Sequence, residues 1–267
     1  NDLSEIIAKT LDPLDVNDVK QLTYAGQFLR DTCLKSHLPP ELETIIRSQY
    51  SELERINGKN CPVAVRSSAT AEDLPEASFA GQQESYLNVR GASAILRSVK
   101  RVFASIFNDR AIAYRIHSGF SHQDVALSVG IQLMVRSDLA SSGVMFTLDT
   151  ETGFNEVVFI TSSYGLGESV VQGSVNPDEF YVFKRNVEQG VPSVLRRTLG
   201  TKQTKIILYD GEGESFTQTV PVAPSEQKRL SLSDPELEQL ARHALAIENH
   251  YSCPMDIEWA KDRTSGD

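Results

Sequence analysis

The run Asp256-Ile257-Glu258-Trp259 alternates carboxylate and apolar side chains. In an extended strand Asp256 and Glu258 therefore share one face, roughly 7 Å apart, and Ile257 and Trp259 take the other. Paired hard oxygen donors suit Mg²⁺, which takes one or two protein carboxylates and fills its other positions with water and phosphate oxygens. The same spacing also describes a solvated edge strand. Upstream, Arg66 ends the apolar run Val63-Ala64-Val65 and opens Ser67-Ser68-Ala69-Thr70-Ala71-Glu72-Asp73. A guanidinium delivered to a small-residue loop can grip phosphate on two oxygens, or pair with Glu72 or Asp73. Ala80-Gly81-Gln82-Gln83 offers unhindered backbone N–H groups that can close over an anion, although a plain turn uses the same residues.

Other chemistries are poorly served. Gly165-Leu166-Gly167-Glu168 begins like a dinucleotide fingerprint, but the third glycine position is Val170, and no Gly-x4-Gly-Lys-Ser/Thr loop occurs. His37, His117, His122, His243 and His250 lack metal-ligand pairing, and no Gly-x-Ser-x-Gly elbow is present. Cys33, Cys61 and Cys253 are odd in number and far apart, which suits reduced thiols in a cytoplasmic protein better than disulfides or zinc. With 26 basic against 36 acidic residues the net charge is −10, which argues against nucleic-acid or anionic-membrane partners. The most apolar run, Val125 to Val135, is interrupted by Ser128, Gly130 and Gln132 and does not read as a membrane span.

The elements that must position these residues follow from periodicity. Residues 15 to 56 read as two helices, with Asn17 as a cap of the first and Pro39-Pro40-Glu41 starting the second. Ile95, Leu96, Val99, Val102, Phe103, Ile106 and Phe107 recur at helical spacing and predict one helix from Ser93 to His117, ended by Gly119. From Ser67 to Gln83 no period holds, which predicts a long loop. Strands are expected at 125–135, 144–148, 157–162, 180–183, 193–196, 204–209 and 256–260, with a helix at 235–250 among them. Helices followed by a strand-rich half predict an α+β chain in two lobes, about 1–128 and 129–267.

Together the motifs resemble a known family. The run Val63 to Glu84, which contains Val65-Arg66-Ser67-Ser68-Ala69-Thr70-Ala71-Glu72-Asp73 and Phe79-Ala80-Gly81-Gln82-Gln83, is similar to the N-terminal nucleotide-binding domain of the pyruvate phosphate dikinase and rifampin phosphotransferase family. Phe107-Asn108-Asp109-Arg110-Ala111, the segment Met134 to Phe146, Val175-Asn176-Pro177-Asp178-Glu179-Phe180-Tyr181 and Pro254 to Ala260 make it look most like the members that act on pyruvate and water. An antibiotic phosphotransferase and a non-catalytic nucleotide-binding module are the alternatives.

The resemblance implies an ATP-grasp fold whose two lobes close on Mg-ATP. It implies that Arg66 holds the transferring phosphates under a flap containing Gly81 and Ser85. Gln132 and the backbone of Met134 and Val135 would meet adenine, Glu168 would lie near the ribose, and Glu258 with Asp256 would hold Mg²⁺. It further implies a swivelling phosphohistidine domain of the same full-length enzyme, pyruvate bound elsewhere, and a place in gluconeogenic metabolism. Two family segments have no counterpart in this sequence. One is a Gly-Gly-Lys-Asn stretch before Arg66, for which Gly58-Lys59-Asn60 stands too close; the other is Gln-Ala-Arg-Pro after Trp259. The chain is accordingly expected to be a piece truncated at both ends that does not complete the reaction alone.

Overall fold

The structure, a computed structural model, describes residues 3–70, 73–74, 77–78, 84–122, 125–209 and 217–263. The chain divides into two compact units, Asn1–Met134 and Val135–Asp267. The first contains helices α1 (Leu3–Leu11), α2 (Val19–Lys35) and α3 (Pro40–Asn57), then strands β1 (Val63–Ala69), β2 (Asp73–Leu74), β3 (Ala77–Ser78) and β4 (Tyr86–Val89). Helices α4 (Ala92–Ser105) and α5 (Asp109–His117) and strand β5 (Leu127–Leu133) complete it. The expected α2 is present, but its cap is Asp18, whose carboxylate accepts from the Lys20 and Gln21 N–H groups. Asn17 instead donates to Asp15 and closes the turn before the helix. Pro40 starts α3 as expected, at a position where its missing N–H costs nothing. Helix α1 was not expected.

The single helix predicted over 93–117 is two helices. The Phe107 and Asn108 N–H groups turn back to Ala104 and Ser105, and α5 restarts at Asp109. The apolar residues before the break and after it serve different cores. Ile95, Val99 and Val102 join Val63, Val65, Val89 and Tyr50 beneath the sheet, whereas Phe107 and Ile112 pack with Leu11, Leu22 and Leu29 of α1 and α2. Gly119, at φ 71°, ends α5 as expected.

Strands β4, β1 and β5 form an antiparallel sheet in the order β4-β1-β5. β1 runs three residues beyond Arg66, because β5 pairs with it through Ser67, Ser68 and Ala69. Arg66 therefore sits mid-strand rather than at a strand end. The loop expected over 67–83 also contains a two-stranded ladder of β2 and β3. The unit boundary falls after β5 because β1 is the partner of that strand.

The second unit opens with a 3₁₀ turn at Ser137–Leu139 and continues through β6 (Ser141–Phe146), β7 (Val157–Tyr164), α6 (Glu168–Val171), β8 (Asp178–Phe183), α7 (Lys184–Gln189) and β9 (Val194–Thr198). It ends with the hairpin β10 (Thr204–Leu208) and β11 (Thr217–Pro221), then α8 (Pro224–Gln227), α9 (Asp234–Tyr251) and β12 (Asp256–Ala260). β11 and the short helices were not expected. An antiparallel sheet in the order β12-β6-β7-β8-β9 packs one face on α9, with Met145, Ile160, Phe180 and Val182 meeting Leu237, Ala241 and Ala244. Ser233 and Glu236 form a reciprocal capping box that fixes where α9 begins. The secondary structure is α+β with antiparallel sheets, as the order of elements predicted.

Candidate nucleotide and metal site

In each unit one sheet face packs on helices and the other carries the polar residues singled out from the sequence. In β1 the alternation buries Val63 and Val65 against α3 and α4 and points Arg66 and Ser68 outward. β5 repeats the pattern: Val129, Ile131 and Leu133 pack inward while Ser128, Gly130 and Gln132 are exposed. Arg66 stands opposite Gly130, and Gln132 stands opposite Ala64. The sequence-predicted Arg66 and Gln132 thus share one face. Ser85 is exposed and immediately precedes β4, whose Tyr86 pairs with Val65, the neighbour of Arg66. Gly81 lies outside the described residues. Met134 is buried and its N–H donates to the Pro62 carbonyl at 3.0 Å, so that donor is engaged within the fold.

The second unit carries the carboxylates. β12 is an edge strand in which Asp256 and Glu258 are exposed and Ile257 and Trp259 pack on the α9 side, as alternation predicted. Burial, and then the neighbouring charge of Glu258, raise the Asp256 carboxyl above its ordinary value. An Asp256 carboxylate disfavoured by burial and by a second carboxylate beside it is a ligand that a divalent cation relieves. Among the described residues no group of three or more His, Cys, Asp or Glu could hold a metal. A cation here would draw its remaining ligands from water or phosphate.

Cross-strand register extends this face to residues the sequence reading did not single out. One row runs Glu258, Val144, Thr161, Glu179 and Thr198. The next runs Asp256, Phe146, Phe159, Tyr181 and Arg196, with ring centroids 6.2 and 4.9 Å apart and the Arg196 guanidinium 5.9 Å over Tyr181. The alternation Glu179-Phe180-Tyr181-Val182 was the available signal, but only pairing tells which alternate residues face the carboxylates. Glu168 is exposed at the start of α6 and accepts from Gln172. The Ser142 hydroxyl, on the same face as Glu258, donates to the Gly165 carbonyl and ties the turn before α6 to β6.

Comparison with known proteins decides the family. The model of the pyruvate phosphate dikinase AMP/ATP-binding domain matches residues 1–267. The chain belongs to that family. It is 57% identical over 262 residues to the phosphoenolpyruvate synthase of Deinococcus radiodurans, covering 98% of this chain and 33% of that protein. The phosphoenolpyruvate synthase of Escherichia coli is 52% identical over 265 residues, covering 99% and 33%. The probable phosphoenolpyruvate synthase of Methanocaldococcus jannaschii is 41% identical over 262 residues, covering 98% and 21%. The chain spans about a third of the length of most of the curated relatives it matches. This dikinase-family chain contains no helix, among the described residues, long and apolar enough to cross a membrane.

Proposed function

We propose that this chain is the ATP-binding part of a phosphoenolpyruvate synthase, an ATP-grasp-type domain that binds Mg-ATP and delivers its phosphates to a histidine on another domain of the full-length enzyme. The observation that carries the reading is that Arg66 and Gln132 are exposed on one face of the first unit's sheet, and Asp256 and Glu258 on one face of the second unit's, in a chain of the dikinase AMP/ATP-binding family. Arg66 grips phosphate oxygens, Ser85 and Gly81 belong to the flap over them, and Gln132 with the Met134 and Val135 backbone meets the base. Since the Met134 N–H is engaged with Pro62, its carbonyl is the atom offered to the adenine amine. Glu168 lies near the ribose. Glu258 and Asp256 are the residues that would hold Mg²⁺, which neutralises phosphate charge when bound.

In the full-length reaction the histidine nitrogen attacks the β-phosphorus of ATP, AMP leaves with the electrons of the broken P–O bond, and a pyrophosphoryl histidine remains. Water then releases inorganic phosphate, and the last phosphoryl group passes to the enolate oxygen of pyruvate. For such transfers a protein supplies mainly position and charge neutralisation, which an arginine, a carboxylate pair and backbone donors can provide. The relatives' names favour pyruvate over an antibiotic as final acceptor. Calorimetric titration with ATP, with and without Mg²⁺, tests the reading on the wild-type chain and on Arg66→Ala. Magnesium-dependent binding that disappears in the variant is expected. Equal binding by both proteins would remove Arg66 from the site.

A further inference from the structure

The second unit has a concave site on the side of its sheet opposite Asp256 and Glu258. Beyond the pair Ala260–Ser142, the Lys261 N–H donates to the Ser141 carbonyl, and Ser141 pairs in turn with Tyr164 of β7. Alternation sets this row on the face of Met145, Ile257 and Trp259, which packs against α9. The row lines a cavity of about 290 Å³ to which Lys205, Ser231 and Arg263 also contribute. That is the room of about ten waters, enough for a phosphate group and a short organic substituent.

Two features point to a ligand. Ser141 is only 2% exposed, and its hydroxyl has no hydrogen-bond partner in the fold. A buried hydroxyl without a partner, on a residue that lines a cavity, is a donor awaiting an acceptor. The charge is also unbalanced. Lys261 donates to Glu236, Lys205 stands 3.9 Å from Glu226, and Asp138 is held by two N–H groups of Arg136. Arg263 touches only the Leu139 carbonyl, at 3.4 Å, and pairs with no carboxylate among the described residues. One guanidinium charge is thus left over at the mouth of the cavity.

We propose that this cavity binds a phosphate group, with Arg263 supplying the unbalanced charge, Lys205 turning from Glu226 to donate to one oxygen and the Ser141 hydroxyl donating to another. The two sources of that chemistry are free inorganic phosphate and a small phosphate monoester. The proposal does not depend on the nucleotide reading, because its residues lie on the opposite face of the sheet from the carboxylates.

The test follows amide chemical shifts of the chain during titration with sodium phosphate at constant ionic strength, balanced with chloride. Saturable shifts around Ser141 are expected, with the dissociation constant raised at least tenfold in Arg263→Ala and Lys205→Ala, several-fold in Ser141→Ala, and unchanged in Arg66→Ala. A second titration with glycerol phosphate separates the sources: tighter binding than phosphate assigns a monoester, and equal binding assigns the free ion. Shifts no larger than chloride produces would overturn the proposal. So would binding lost in Arg66→Ala and retained in Lys205→Ala, since it would place the ion at the nucleotide face. Arg263 is exposed, Lys205 is half-buried on a hairpin strand and Ser141→Ala removes one unpartnered atom, so all three variants are expected to fold.

Discussion

Arg66 is exposed on β1, opposite a glycine and outside the apolar cluster beneath the sheet. Its removal should therefore act on chemistry rather than folding. In the full-length enzyme Arg66→Ala is expected to lower AMP formation by at least about a hundredfold, the scale of losing one preorganised charge-stabilising group, with a melting temperature close to wild type. Turnover near the wild-type rate would exclude the assigned role. Asp256 makes a second residue-scale prediction. Its carboxyl is raised by burial and by Glu258, so the folded chain holds that proton more tightly than the unfolded chain does. Without a divalent cation, stability should fall as pH rises from the ordinary aspartate value through the raised one. Asp256→Asn should flatten that decline and raise the melting temperature at neutral pH, while losing part of the stabilisation that Mg²⁺ gives the wild type. A melting series over pH, with and without Mg²⁺, measures both effects.

Individual elements were legible where one core claims a continuous apolar stripe, and misread where two cores share it. β12 matched its predicted bounds because the alternation of Ile257 and Trp259 meets a single partner layer. The α4–α5 break was invisible because Val102 and Ile112 both fit one helical period while packing into different clusters. β1 was cut short at Arg66 because Ser67 and Ser68 have little intrinsic strand preference, and pairing with β5 overrides it. At this scale Gly143 is the most demanding position. A Cβ there would lie 1.9 Å from the Thr161 carbonyl oxygen and 3.0 Å from the Trp259 ring, so Gly143→Ala must push β6 away from β7 or displace the tryptophan. The expected loss is about 3 kcal/mol or more in urea unfolding. A loss below about 0.5 kcal/mol would mean that the strand spacing differs from that described.

Separate cores give the molecule as a whole two compact units, so their stabilities should be separable. Asp178 and Lys202, both fully buried, pair with each other beneath the second sheet; Asp178 also accepts from the Gly200 N–H and from the N–H and hydroxyl of Ser231. Lys202→Met would strand a buried carboxylate, with an expected loss of about 3–5 kcal/mol. Scanning calorimetry should show the loss in the transition of the second unit, while that of the first stays in place. A uniform downward shift of a single transition would mean that the two units unfold together.

By itself the sequence determined the composition class, the period of most elements, the carboxylate pair of β12 and the motif around Arg66, because these depend on residue type and spacing along one segment. Only the tertiary structure decided that Arg66 and Gln132 share a face, and that Thr161, Glu179 and an aromatic row extend the face of Glu258. It alone decided that Lys261, Ser141 and Tyr164 line a cavity behind that face. The physical reason is that strand register, which one-residue slips invert, is set by contacts between segments far apart in the chain.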